Sequence, residues 1–366
     1  MKRIMIVMGT RPEAIKLCPL VLELKKRKHF EVLICSVAQH TALQKSVLDA
    51  FSLSADFSLE IERHGNGMGE LTSRILERMS ELLKETKPDL VLVQGDTATA
   101  FGAALAAFYQ RIPVGHVEAG LRTYRMESPF PEELHREAIA LLAEYHFAPT
   151  LISRRNLLRE GRAESKIHVT GNTVVDALHK SLSQDFERPP LRLPKNKRLL
   201  LFTAHRRESL GEPLCGMLRA LRRVVEETPD VIALCPLHPN PQVREAASRI
   251  LTGADRIRVI EPPDFVSFHR LLSKSYLVMT DSGGIQEEAV TLGIPTVVMR
   301  YSSERTEGMR AGVLRLVGSG EEGIYEVVKR LLEPDSPEYT SMKKPSNIFG
   351  DGKASVRIAD VLEKIS

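Results

Sequence analysis

The first clues are what this chain lacks. No apolar run approaches the ~20 residues that a membrane-spanning helix needs. The amino-terminal stretch MKRIMIVMG is basic and then apolar, but it is short and breaks at Gly9-Thr10-Arg11-Pro12. That break argues against a secretory signal. Cysteine is scarce: four residues in 366, at Cys18, Cys35, Cys215 and Cys235, with no CxxC pair. Three sit in or beside apolar runs, so buried thiols in a reducing compartment are expected, and with them a cytoplasmic location. Net charge is only +4, with Lys and Arg scattered among Asp and Glu. No basic tract argues for nucleic acid. There is no HExxH, no Cys/His cluster and no Walker lysine, so metal catalysis is not expected. A Gly-x-Ser-x-Gly elbow is missing. So is the GxGxxG of dinucleotide sites, and no cofactor is expected. Internal repeats and low-complexity tracts are also missing.

What remains is a globular composition, 43% hydrophobic and 27% charged, long enough for two domains. Short β-branched runs alternate with longer helical patterns. In the first half the runs are Ile4–Met8, Val32–Val37, Leu90–Val93, Val114–His116, Tyr145–Ala148 and Ile167–Thr170. In the second they are Leu199–Thr203, Val231–Pro236, Ile257–Ile260, Leu277–Thr280, Thr296–Met299 and Leu314–Val317. Amphipathic stretches such as Leu71–Glu85 and Glu132–Glu144 lie between. Two successive βα arrays predict an α/β protein with two doubly wound parallel sheets, both Rossmann-like. The expected division is 1–175 joined by a terminal helix 352–366, and 176–351. Ser183–Arg198, rich in Pro and charge, reads as the linker. Ligands bind beyond the carboxyl ends of such strands, so an interdomain cleft is the expected site.

The chemistry-bearing residues cluster at strand ends. Gly9-Thr10-Arg11-Pro12 follows the first strand, with Pro12 suited to a helix start and Arg11 and Lys16 near its amino end. Asp96 follows Leu90–Val93, and Glu118 follows the strand at Val114. Ser128-Pro129-Phe130-Pro131-Glu132-Glu133 opens a helix. Each acid has a plain structural reading, Asp96 as a helix cap and Glu132 or Glu133 as first-turn dipole partners. Three acids at converging element ends also suit acid/base work. In the second half, His205-Arg206-Arg207 and His238 follow strands, fitting a diphosphate or protonation of a leaving group. Thr280-Asp281-Ser282-Gly283-Gly284-Ile285-Gln286-Glu287-Glu288 has the small residues of an anion cradle at a helix amino end, with two acids just behind it. Glu287 has no evident role.

GTRPEAIK, QGDTATA, AAFYQRIPVGHVEAGLRT, SPFPEE, TGNTVVDAL, AHRRES, DSGGIQEEA and FGDGKAS occur in order along nearly the whole chain. Together they resemble the bacterial non-hydrolysing UDP-N-acetylglucosamine 2-epimerases. That resemblance implies two Rossmann-like domains in the glycosyltransferase-B arrangement, a homodimer, and interconversion of UDP-N-acetylglucosamine with UDP-N-acetylmannosamine. It implies elimination of UDP to a 2-acetamidoglucal and re-addition. Asp96, Glu118 and Glu132 then become the acid/base carboxylates, with His205 near the diphosphate beside Arg11, Lys16 and Arg206. Ser282, Gly283 and Gly284 would hold phosphate oxygens, Glu288 the ribose hydroxyls, and Phe268 the uracil. Arg305 matches a sugar-nucleotide residue, and His238 belongs to the same set. Gln39 and His40, with His238, match a regulatory site for a second UDP-N-acetylglucosamine.

Several positions depart from that family. Tyr301-Ser302-Ser303-Glu304-Arg305-Thr306 stands where Asp-Thr-Thr-Glu-Arg-Pro is usual, His135 where Asn is common, and Ile348-Phe349 where Pro-Tyr is common. The first and third raise the alternative of a modified UDP-N-acetyl sugar. Ala42 and Gly65 replace a usual Gln and Arg, which predicts weakened allosteric activation. Three rivals stay open: a hydrolysing epimerase, a retaining glycosyltransferase, and a nucleotide-sugar-binding protein without catalysis.

Overall fold

A computed structural model describes residues 1–38, 41–61, 67–183, 196–204, 206, 209–237 and 240–365. The chain forms two compact units, Met1–Lys180 with Phe349–Ser366, and Ser181–Ile348. The expected linker 183–198 lies mostly outside the described residues, and its last residue, Arg198, already belongs to a strand.

The first unit holds seven strands: β1 (Lys2–Met8), β2 (Phe30–Ala38), β3 (Phe57–Glu60), β4 (Leu90–Gln94), β5 (Val114–Val117), β6 (Tyr145–Ala148) and β7 (Ile167–Val169). They pair in parallel in the order β3-β2-β1-β4-β5-β6-β7. The second unit holds β8 (Arg198–Thr203), β9 (Val231–Pro236), β10 (Ile257–Ile260), β11 (Leu277–Thr280), β12 (Thr296–Val298) and β13 (Leu314–Leu316). Its parallel order is β10-β9-β8-β11-β12-β13. Both sheets therefore reverse direction once, between β1 and β4 and between β8 and β11. Those switch points are where an open parallel sheet leaves a crevice beyond its strand ends.

Helices cover both faces, which explains the unbroken apolar runs. Ile4–Met8 of β1 and Leu90–Val93 of β4 are fully buried, and so are Leu277–Met279 of β11. The strand β3 was not legible in the sequence because only Leu59 of its four residues is buried.

The terminal helix Ala354–Lys364 belongs to the first unit. Its amino end is capped by Asp176, which accepts from the Ala354 and Ser355 amides at 3.1 and 2.8 Å. Arg27 pairs with its Asp360 and Glu363 at 2.8 Å each. No helix among the described residues is long and apolar enough to cross a membrane. All four cysteines are buried free thiols.

Candidate functional site

In the first unit the predicted residues gather at the ends of β1, β4 and β5. Gly9 and Thr10 turn the chain from β1 into the helix Arg11–Lys25, whose first turn carries Pro12. Thr10 caps that helix, its hydroxyl accepting from the Glu13 amide at 3.4 Å. Arg11 is half-buried on the first turn, and Lys16 lies one turn further in, 8% exposed.

Glu118 follows β5 directly. It is 7% exposed and has a left-handed backbone, φ 66°, uncommon for a residue with a side chain. Its Oε2 accepts from Lys16 Nζ at 2.5 Å, from Gln94 Nε2 at 3.0 Å and from Asn172 Nδ2 at 3.0 Å. The three donors come from the helix after β1, the end of β4 and the turn after β7. One carboxylate oxygen thus collects elements that are distant in sequence. Such a group has one orientation, because moving it would break several charge-assisted bonds at once.

Asp96 sits one strand over. Gly95 bends the chain with φ 71°, and its amide donates to Val117 O at 3.0 Å, fixing the ends of β4 and β5 side by side. His116 Nε2 donates to Gly95 O at 2.7 Å. Burial pushes this imidazole down to about 4, so it is neutral at physiological pH. The Asp96 carboxylate pairs with Arg136, and its backbone carbonyl accepts from His135 Nδ1 at 2.9 Å. His135, the unusual residue here, also stacks on Phe101 at 5.2 Å.

The residues alone leave Glu132 and Glu133 alike, with the family resemblance pointing to Glu132, and the structure gives the two different surroundings. Glu133 is fully buried, accepts from the Thr123 and Tyr124 amides at 2.8 and 2.7 Å, and meets Arg136 at 3.2 Å. It holds the preceding loop. Glu132, the first residue of the helix Glu132–Leu142, is half-buried and has no polar partner among the described residues. Of the two, only Glu132 is available to a ligand.

Sequence reasoning missed Glu13. Its carboxyl is fully buried, accepts from the Gly9 amide at 3.2 Å and from the Thr97 hydroxyl at 2.8 Å. Thr97 in turn caps the helix Ala98–Tyr109. Glu13 thereby ties the Arg11 turn to the Asp96 turn. Burial pushes its carboxyl up to about 7, against the opposing pull of its hydrogen bonds.

In the second unit the predicted residues gather at β8 and β11. Asp281, fully buried after β11, accepts from the Arg206 amide at 3.1 Å and the Ser209 hydroxyl at 2.8 Å. It holds the turn after β8 in place. Ser282 is the cap position of the helix Gly283–Leu292 but makes no side-chain capping bond. The first-turn amides therefore keep their donors and the helix its positive end. A Cβ on Gly284 would meet open space, whereas one on Gly283 would lie 2.8 Å from the Arg305 guanidinium. Arg305 Nε donates to Glu287 at 2.8 Å, and Glu304 takes a second of its nitrogens. Arg206 approaches Glu304 at 3.7 Å, and Arg300 donates to Glu304 at 3.2 Å.

Glu288, 7% exposed, lies 3.4 Å from His269 Nε2, while its Oε2 is buried with no hydrogen-bond partner among the described residues. Burying an acceptor in this way is costly unless a donor arrives. Phe268 is half-buried on the helix Phe265–Ser273 beside it. His205, His238, Gln39 and His40 lie outside the described residues, as does Gly65, and the Ala42 side chain is not described. Tyr301 is 78% exposed, while Phe349 is packed in the first unit's interior. Among the described residues no group of His, Cys, Asp and Glu could hold a metal ion.

Similar proteins share this framework. Residues 22–363 match the family model described as UDP-N-acetylglucosamine 2-epimerase. The UDP-N-acetylglucosamine 2-epimerase of Bacillus subtilis is 49% identical over 98% of this chain and 94% of its own length. That of Escherichia coli K12 is 46% identical over 99% and 98%. Among solved structures, the S. aureus MnaA-UDP co-structure superposes with a TM-score of 0.96 at 42% identity, covering 100% of this chain and 97% of that one. The Neisseria meningitidis UDP-GlcNAc 2-epimerase bound to UDP-GlcNAc gives 0.94 at 41%, over 99% and 100%. With its two parallel α/β sheets and whole-length likeness in sequence and fold, the chain belongs to the UDP-N-acetylglucosamine 2-epimerase family, a family of isomerases.

Proposed function

We propose that the protein is a non-hydrolysing epimerase interconverting UDP-N-acetylglucosamine and UDP-N-acetylmannosamine. The hydrogen at C2 of the sugar is not beside a carbonyl, so direct deprotonation is a poor route. Elimination of UDP across C1–C2 gives a 2-acetamidoglucal. UDP then adds back after a proton is delivered to the other face of C2. Asp96, Glu118 and Glu132 are the proton carriers. Arg11, Lys16, His205, Arg206 and Arg305, with Ser282 and the Gly283 and Gly284 amides, stabilise the departing diphosphate. Glu288 takes the ribose hydroxyls and Phe268 the uracil. The observation that carries this reading is the Glu118 carboxylate, fixed by three donors at the switch-point end of the first sheet.

The partner proposed is a second copy of the chain. Phe108, Tyr109, Phe130, Leu134 and Leu141 are all at least half exposed, on two contacting helices and the loop between. Large apolar side chains clustered on one surface favour association. A cytoplasmic supply of N-acetylmannosamine units for cell-surface polysaccharide completes the proposal.

In deuterated water, UDP-N-acetylglucosamine should equilibrate with UDP-N-acetylmannosamine and carry deuterium at C2 in both, read by NMR. Retention of protium at C2 in the epimerised product would refute elimination. Accumulation of free UDP in step with turnover would replace epimerisation with hydrolysis.

A further inference from the structure

The second acid pair behind the anion cradle divides its labour. Glu288 keeps an unpartnered oxygen, whereas Glu287 is buried against a cation. Its side chain is 1% exposed and that of Arg305 is 5% exposed, with 2.8 Å between Oε1 and Nε. The guanidinium lies against the first residue of the Gly283 helix, since a Cβ there would stand 2.8 Å from both Cζ and Nη1. A cation at a helix amino end is on the unfavourable side of the dipole. Two carboxylates, Glu287 and Glu304, offset this.

The turn bearing Arg305 is docked on the same helix by neighbouring side chains. Gln286 donates to Ser282 O at 3.1 Å and accepts from the Ser303 hydroxyl at 3.1 Å, and that hydroxyl accepts from the Arg305 amide at 3.1 Å. Gln286 thus holds the backbone of the turn and Glu287 holds its guanidinium. A cation and unsatisfied helix amides, held together against their mutual repulsion, are an arrangement that one shared anion stabilises.

We propose that Glu287 is a positioning residue for diphosphate binding. It fixes the Arg305 guanidinium at the amino end of the Gly283 helix, so that the guanidinium and the helix amides bind the same diphosphate. The inference rests on the reading of the substrate as a nucleoside diphosphate sugar.

The test is calorimetric titration of UDP, together with kcat and KM, for the wild type, Glu287→Gln, Glu287→Ala, Arg305→Met and the Glu287→Ala/Arg305→Met pair. Glu287→Ala should raise the UDP Kd by about 10-fold or more, in line with a charge-assisted hydrogen bond. Glu287→Gln, which can still accept from Nε but without the charge, should recover only part of that loss, leaving a rise of about 3-fold. In the Arg305→Met background, Glu287→Ala should change the Kd by less than about 2-fold, because residues acting through one contact are not additive. An unchanged UDP Kd in folded Glu287→Ala, or additive losses in the double variant, would overturn the proposal. If Glu287→Ala does not fold, Glu287→Gln decides alone, with a rise of about 3-fold expected and no rise refuting it. A wild type that does not bind UDP would instead refute the nucleotide reading itself.

Discussion

The order β3-β2-β1-β4-β5-β6 of the first unit repeats as β10-β9-β8-β11-β12-β13 in the second, and the two finish it with opposite electrostatics. At the ends of β4 and β5, carboxylates are the held groups: Lys16, Gln94 and Asn172 converge on Glu118, and Arg136 meets Asp96. Beyond β11 and β12, guanidiniums are the held groups: Glu287 and Glu304 converge on Arg305, and Glu304 also meets Arg300. Oriented carboxylates suit proton transfer, and oriented cations beside helix amides suit an anion. The same topology thus yields a proposed proton-transfer surface in one unit, with Arg11 and Lys16 beside it, and the larger part of a proposed diphosphate surface in the other. The difference comes from side chains at equivalent turns.

The comparison breaks most sharply at Glu118. Glu118→Gln keeps the size of the side chain and removes a proposed proton carrier, so steady-state turnover should fall about 10²–10⁴-fold. Next is Gly283→Ala. Its Cβ would displace the buried Arg305 guanidinium, and overpacking of this kind costs about 1–3 kcal/mol. KM and the UDP Kd should rise about 10-fold while kcat changes little. A kcat loss with unchanged Kd would mean that the second unit serves chemistry as well as binding.

The smallest effect concerns Glu13. Its folded carboxyl titrates near 7, above the ordinary value, so the folded state binds the proton more tightly than the unfolded chain does. Its favourable contribution is present at low pH and is lost as pH rises through about 7. Between pH 6 and 8 the loss is about 1 kcal/mol. Glu13→Gln should flatten that part of the stability profile, read by denaturant unfolding at each pH. A profile parallel to the wild type would remove Glu13 from this role.

Much of this was legible in the sequence, for identifiable reasons. Strands buried on both faces read as apolar runs, so β1, β4, β8 and β11 stood out, and the residues after them were natural site candidates. The edge strand β3 buries only Leu59 and left no pattern. Neighbouring acids on a helix point about 100° apart. Glu132 and Glu133, or Glu287 and Glu288, are therefore alike in sequence and opposite in environment. The spacing of Glu133 and Arg136, three apart on one helix, was the available hint of an ion pair. Asn172 and Gln94 were hidden more deeply. Their convergence with Lys16 on Glu118 depends on sheet order, which joins positions 16, 94, 118 and 172. Glu13 was hidden because nothing in GTRPE says that its carboxyl turns inward to Thr97.

The division of labour between the units is tested most directly by titrating UDP into Glu118→Gln in a calorimeter. The expected result is a UDP Kd within about 2-fold of wild type, in a protein whose turnover has fallen by at least about 10²-fold. A UDP affinity that falls in proportion to turnover, or a turnover that does not fall, would contradict the account.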